Sequence, residues 1–250
     1  MVSHFRMVQR LLMCCLSAIV LLSAGASTAY ASHFRYTTID YKPILDAQGN
    51  PTGTVEFHIT EAWRRSAFGG LVTGQAFQPS SFSFGDGSSV PLSLTVTSYS
   101  ITEDWIVGTQ TIQHHYLSVG PFTASDTGCC RIGNISNGAG GGWYFDTVVR
   151  PYSTNSSPTS SLPPILNVPA GNNATFFVRA SDVDRNTLTY RIASNSGVSA
   201  IPNLSIASTT GQVTWNNSSL DRTTSGRFSS SSKITMPRGT SSRAFLSTFS

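Results

Sequence analysis

Glu56, Glu61 and Asp126 are the side chains with which this sequence could carry out acid–base chemistry. Two carboxyls converging on one cleft would suit glycan hydrolysis, one donating a proton while the other acts as base or nucleophile. Glu103-Asp104 makes a poorer pair, because neighbours along a strand point to opposite faces. His114-His115 fails as a metal pair for the same reason, and no third ligand stands at a His-x-His type of spacing. The chain has no Gly-x-Ser-x-Gly, no His-Glu-x-x-His and no Walker-type loop, so no nucleophile–base constellation emerges and no catalytic residue is assigned.

Two other clusters could act by binding. Gly138 to Gly142 leads directly into Trp143-Tyr144, with Arg131 a short distance upstream. A glycine loop opening onto aromatic residues could border a recognition surface, since contacts concentrate in loops on a rigid scaffold. The alternative places Trp63, Trp105 and Trp143 in the core. Cys129 and Cys130 could form a vicinal disulfide, remain buried thiols, or bridge to a second chain. An oxidising compartment favours a bond. Against it, adjacent Cα atoms lie about 3.8 Å apart, closer than the roughly 4.4–6.8 Å usual for a disulfide.

The elements that must position these groups are strands. Charged residues make up 11% of the 250, and Ser, Thr and Gly abound, as in sandwiches with many turns. Val55, Phe57 and Ile59 share one face, and so do Leu92, Leu94, Val96 and Ser98; no long stretch shows helical spacing. Asp46 to Gly53 is a dense turn joining a first hairpin.

Met1 to Ala31 reads as a signal peptide: Arg6 and Arg10 precede the apolar run Leu11 to Leu22, and Ala29-Tyr30-Ala31 offers a cleavage site. An uncleaved membrane anchor is the alternative, although the run is short for a span of about 20 residues. Cys14 and Cys15 would leave with the signal. The formal charge of +4 is carried by the two ends; without the signal and the tail after Asp221, nine basic residues face twelve acidic ones. Nucleic acid is therefore not expected as a partner. Six Asn-x-Ser/Thr sequons occur, at Asn134, Asn155, Asn173, Asn203, Asn216 and Asn217.

Ser81-Phe82-Ser83-Phe84-Gly85-Asp86-Gly87, followed by Gln113-His114-His115-Tyr116 and Gly120-Pro121-Phe122, resembles the PKD family of extracellular β-sandwich modules over about residues 78 to 124. The resemblance implies a structural role for one of the two histidines ahead of Tyr116. A second stretch, about 162 to 222, is similar to the cadherin-like family and its dystroglycan-type relatives. There Val178-Arg179-Ala180-Ser181-Asp182-Val183-Asp184 precedes Leu188-Thr189-Tyr190-Arg191-Ile192, Leu204-Ser205-Ile206 and Thr210-Gly211. That resemblance implies calcium bound by Asp182 and Asp184, with Asp221 from a Leu220-Asp221-Arg222 segment. Calcium takes six to eight oxygens, and residues two apart on a strand end point the same way. Thr223 stands where the family has Glu, and turn-capping is the other reading of these aspartates.

The expected architecture is all-β: a signal peptide (1–31), a PKD-like β-sandwich (32–150), a Ser/Pro-rich linker (151–161), a cadherin-like β-sandwich that could be incomplete (162–222) and a disordered Ser-rich basic tail (223–250). The two sandwiches are Ig-like modules in tandem. The expected function is an exported, non-enzymatic binding or adhesion protein at the cell surface or outside the cell. Its partner would be an extracellular protein or glycan, with calcium as the one possible cofactor and no membrane span in the mature chain. A secreted glycan-acting hydrolase, or an accessory fragment of a larger surface protein, is the alternative.

Overall fold

A computed structural model describes residues 33–132, 140–160, 173–192 and 203–216, together with the backbone of strands at 231–235 and 243–247. Residues 1–31, where a signal peptide is expected, Asp221, and Gly138 and Ala139 of the glycine loop lie outside the described residues. No α-helix occurs among the described residues, and the sheets pair antiparallel.

The first hairpin joins β1 (Phe34–Leu45) to β2 (Pro51–Arg64). Asp46 closes its turn: Oδ1 accepts from the Gln48 and Asn50 N–H groups at 2.9 and 2.8 Å, the local bonding that makes Asp a turn residue. A single 3-10 turn (Arg65–Phe68) leads to β3 (Ala76–Phe77), β4 (Ser81–Ser83), β5 (Ser89–Pro91) and β6 (Leu94–Ser100). Then come β7 (Trp105–His115), β8 (Phe122–Cys129) and β9 (Gly142–Val149). They form two sheets, ordered β1-β2-β7-β6-β3 and β5-β4-β8-β9.

Alternation on β2 sends Val55, Phe57, Ile59, Glu61 and Trp63 to the same interior face. The facing sheet supplies Phe82, Ala124, Asp126, Trp143, Phe145 and Val149. A bulge between Val96 and Ser98 shifts the register of β6 on β7, so Ser98 leaves the series begun by Leu92, Leu94 and Val96. The Phe82–Phe84 stretch packs both rings against Phe57, at centroid distances of 5.2 and 5.7 Å.

Past residue 150 the chain forms β10 (Thr159–Ser160), β11 (Asn173–Phe177), β12 (Ala180–Ser181), β13 (Thr189–Ile192), β14 (Leu204–Ile206) and β15 (Gln212–Asn216). Val178, Tyr190 and Val213 make a second, smaller core. The expectation of a disordered tail at 223–250 is corrected in part: the backbone forms β16 (Ser231–Thr235) and β17 (Arg243–Ser247). They extend β13 into a three-stranded sheet. Main-chain pairing needs no alternation of side chains, which is why composition gave no sign of it.

The Ser/Pro-rich stretch at 151–160 is fastened at both ends of its middle. Ser157 exchanges bonds with Tyr41, its Oγ accepting from the Tyr41 N–H at 2.7 Å and its N–H donating to the Tyr41 carbonyl at 2.9 Å. Ser156 N–H donates to Asp184 Oδ2 at 2.6 Å. A segment whose composition suggests a loose tether is therefore a strap, because serines satisfy backbone groups at close quarters.

Candidate functional site

The strands bring two of the three carboxylates together. Glu61 on β2 and Asp126 on β8 meet between the sheets, both fully buried and close enough for each to act on the other's ionisation. Ser80 Oγ donates to Glu61 Oε1 and Trp63 Nε1 to Glu61 Oε2, each at 2.6 Å. Trp143 Nε1 reaches Asp126 Oδ1 at 3.4 Å, and the Thr37 hydroxyl lies beside Asp126 outside strict hydrogen-bond geometry. Burial, and then the neighbouring Asp126 charge, push Glu61 well above the ordinary carboxylate range; burial pushes Asp126 up to about 6. One proton held between two desolvated carboxyls is the stable arrangement. Neither carboxyl faces a cleft, so the pair is a polar element of the core. Glu56 stands apart on the outer face, where Lys42 and Gln113 hold its carboxyl down to about 2.

Of the expected recognition residues Trp143, Tyr144 and Arg131, burial takes Trp143 and Arg131 off the surface. Trp143 is 5% exposed, stacked on Phe34 with centroids 4.0 Å apart and edge-on to Trp63 at 5.4 Å. It lies on the interior face of β9 because Gly128, opposite on β8, leaves room for the indole; a Cβ there would sit 2.5 Å from the ring. Arg131 is 1% exposed, and burial lowers its guanidinium to about 10. Its backbone is bridged to Phe34 and donates to Gly141. Tyr144 faces the other way and is half-buried; burial and then Asp146 raise its phenol. Cys129 and Cys130 are joined by a disulfide, and the Cys130 carbonyl accepts from the N–H groups of His33 and Phe34, fixing the start of β1.

His114 stacks on Phe84 at 3.9 Å, meets Tyr116 edge-on at 4.6 Å and places Nε2 2.7 Å from Asp86 Oδ2. Tyr116 Oη donates to the Phe84 carbonyl at 2.9 Å. This is a brace for the glycine-flanked turn. Burial acts to raise Asp86, but bonds from Ser88 and His114 outweigh it and hold the carboxyl down to about 2.

Asp182 Oδ1 accepts from the N–H groups of Asp184 and Asn186, while Asp184 Oδ2 is taken by Ser156. Among the described residues no three His, Cys, Asp or Glu side chains group as a metal site.

The surface that is both built and open lies at the opposite end of the first sheet, where β2 runs into the 3-10 turn and β6 turns into β7. Asp104, with φ of 54°, anchors it. Its Oδ1 accepts from Ser66 N–H, and its Oδ2 from Ser66 Oγ and Arg64 Nε, at 2.7, 2.7 and 3.1 Å. Burial opposes ionisation, but these Ser66 bonds and the Arg64 charge keep Asp104 below the usual carboxylate range. Arg35 crosses beneath, donating Nη2 to the carbonyls of Glu103 and Asp104. Arg65 bonds the Gly70 and Leu71 carbonyls, and its guanidinium lies 5.1 Å from the centroid of Tyr99. Around this frame Tyr99, Val72 and Ile101 stand in solvent, Ile101 at 70% exposure. Arginine, aromatic and aliphatic side chains on a fixed frame are what a binding surface requires. In the sequence, Glu103-Asp104 reads only as a poor pair of catalytic acids. The available signal was Ile101, an apolar residue inside a polar turn.

Residues 35–152 match the family described as Integrin beta-like protein A-E, N-terminal. The chain is 31% identical over 204 residues to Integrin beta-like protein A of Dictyostelium discoideum, covering 74% of this chain and 10% of that protein. It is 32% identical over 168 residues to Integrin beta-like protein C of the same organism, covering 61% and 8%. The chain thus spans about a tenth of the length of these curated relatives. Among solved structures, the two tandem V-type regions of VCBP3 (v-region-containing chitin binding protein) align over 89% of this chain and 88% of that one. The TM-score is 0.35 and the identity 9%, too low to carry an argument.

Proposed function

We propose that this chain is an exported, non-enzymatic binding module that acts in adhesion at the cell surface or outside the cell, with the Arg64–Arg65–Tyr99–Ile101 rim as its contact surface. The observation that carries the reading is that rim: exposed Tyr99 and Ile101 beside half-buried Arg64 and Arg65, with Arg64 and Ser66 fixed by the Asp104 carboxylate and Arg65 set against Tyr99. The match of residues 35–152 to an integrin beta-like N-terminal family supports it, as does an all-β architecture with no described helix long and apolar enough to cross a membrane. The PKD-like and cadherin-like readings of the two halves belong to the same proposal.

The partner is an extracellular protein or glycan. Beads coated with the secreted chain are offered to cells treated with protease or with glycan-cleaving oxidant. Attachment lost after one treatment and kept after the other identifies the class. The double variant Tyr99→Ala/Ile101→Asp should reduce attachment at least tenfold with an unchanged melting temperature. Equal attachment by the variant would reject the rim.

Calcium is the finer part of the proposal. Asp182 Oδ2 is buried without a hydrogen-bond partner, and Asn155, Asn186 and Asp184 stand at the same junction. Calorimetric titration with calcium, repeated with Asp184→Ala, tests it. No heat at millimolar calcium, or binding untouched by the substitution, would remove these residues from the reading.

A further inference from the structure

We propose that one end of the sheet β11-β15-β14 carries an N-linked carbohydrate cover, attached at Asn173, Asn203 and Asn216. Each heads an acceptor sequence: Asn173-Ala174-Thr175, Asn203-Leu204-Ser205 and Asn216-Asn217-Ser218. Separated by up to 43 residues in the chain, they form one line across the sheet. Asn173 opens β11 opposite Asn216, which closes β15. Asn216 N–H donates to the Asn203 carbonyl at 3.0 Å, immediately before β14. All three residues are exposed. Neighbouring strands lie about 4.8 Å apart, so the three backbones fall within roughly 10 Å of one another. Asn203 sits at φ of 60°, a turn conformation that asparagine tolerates.

The fourth sequon among the described residues is treated in the opposite way. Asn155-Ser156-Ser157 lies in the strap, with Ser156 and Ser157 buried. Asn155 Nδ2, the atom a glycan would need, donates to the Ser156 carbonyl at 2.8 Å, and Oδ1 accepts from Asn186. A sugar there would break both bonds and force the junction apart. The fold therefore sorts the sequons: three gathered at one open rim, one locked into a joint.

The cover has a physical consequence. β11 and β14 are the two edges of their sheet, and an exposed edge invites pairing with another chain. A bulky hydrophilic chain at the start of each edge blocks that approach and leaves the Tyr99–Ile101 rim, on another sheet, as the adhesive surface. The inference rests on export, as does the proposed function, but on no particular ligand.

The full chain is secreted from a eukaryotic cell line and collected from the medium. Glycans are released enzymatically in heavy-oxygen water, so that each formerly occupied asparagine is marked, and every sequon peptide is quantified by mass spectrometry. Majority occupancy at two or more of Asn173, Asn203 and Asn216, with Asn155 bare, is expected. Secreted protein with fewer than two of the three occupied, or with Asn155 occupied to the same extent, would overturn the inference and leave the binding reading standing. A chain retained unmodified in the cytosol would overturn both.

Discussion

Glu61 and Asp126 stand on strands of opposite sheets and lie side by side in the first core, with no exposure to solvent. Both carboxyls prefer their protonated form more strongly in the native state than in the unfolded chain. Their stabilising contribution is full below the ordinary carboxylate value of 3.8 and is lost as pH rises through about 6 for Asp126. Glu61 extends the loss to higher pH. A shift of about two units corresponds to on the order of 3 kcal/mol. Asp40, pushed up to about 6 by burial despite His58, acts in the same direction. The lowered carboxyls of Glu56, Asp86 and Asp104 act in the opposite direction at lower pH, so they leave the interval from about 5 to 7 to the raised groups. The melting temperature should fall from pH 5 to pH 7, and Asp126→Asn should flatten the fall. A wild-type melting temperature constant across that range would contradict the shared proton.

Trp143→Ala is expected to act on stability. Removing an indole packed between Phe34 and Trp63 should cost about 3–5 kcal/mol, read from denaturant unfolding. A variant that unfolds like the wild type but binds less would instead return Trp143 to the surface.

Two glycines of one turn separate packing from backbone strain. A Cβ on Gly85, at φ of +84°, would lie 2.3 Å from the Thr123 carbonyl oxygen. Gly87, at φ of +96°, has nothing within 4 Å of the same position. Gly87→Ala should cost about 1–2 kcal/mol for the backbone conformation alone, and Gly85→Ala distinctly more. Equal losses would mean that the β8 backbone moves freely away from the turn.

Purified monomer should resist alkylation at Cys129 and Cys130 until reductant is added, and then take up two equivalents. Reduction should also loosen the start of β1, because the Cys130 carbonyl receives its first two N–H groups. Protease susceptibility near His33 reports on this. Two thiols alkylated without reductant would reject the bond.

The sequence by itself determined the all-β class, the first hairpin and the Phe82–Phe84 turn. Each of these follows from alternation or turn chemistry within a few residues, forces that act locally. In the structure Glu61 shares the interior face of Val55, Phe57 and Ile59, although in the sequence it reads as a candidate for chemistry. What only tertiary structure decided depends on partners distant in the chain. Asp126 arrives 65 positions after Glu61 and makes that carboxylate tolerable in a core. Gly128 makes the slot that buries Trp143. Ser157 finds Tyr41 across 116 positions and turns a linker composition into a strap. Asp104, adjacent to Glu103 and unremarkable in sequence, gains its role only when Ser66 and Arg64 return to it. Local pattern fixes which face a side chain takes; whether that face meets solvent, a proton or another ring depends on which strands become neighbours.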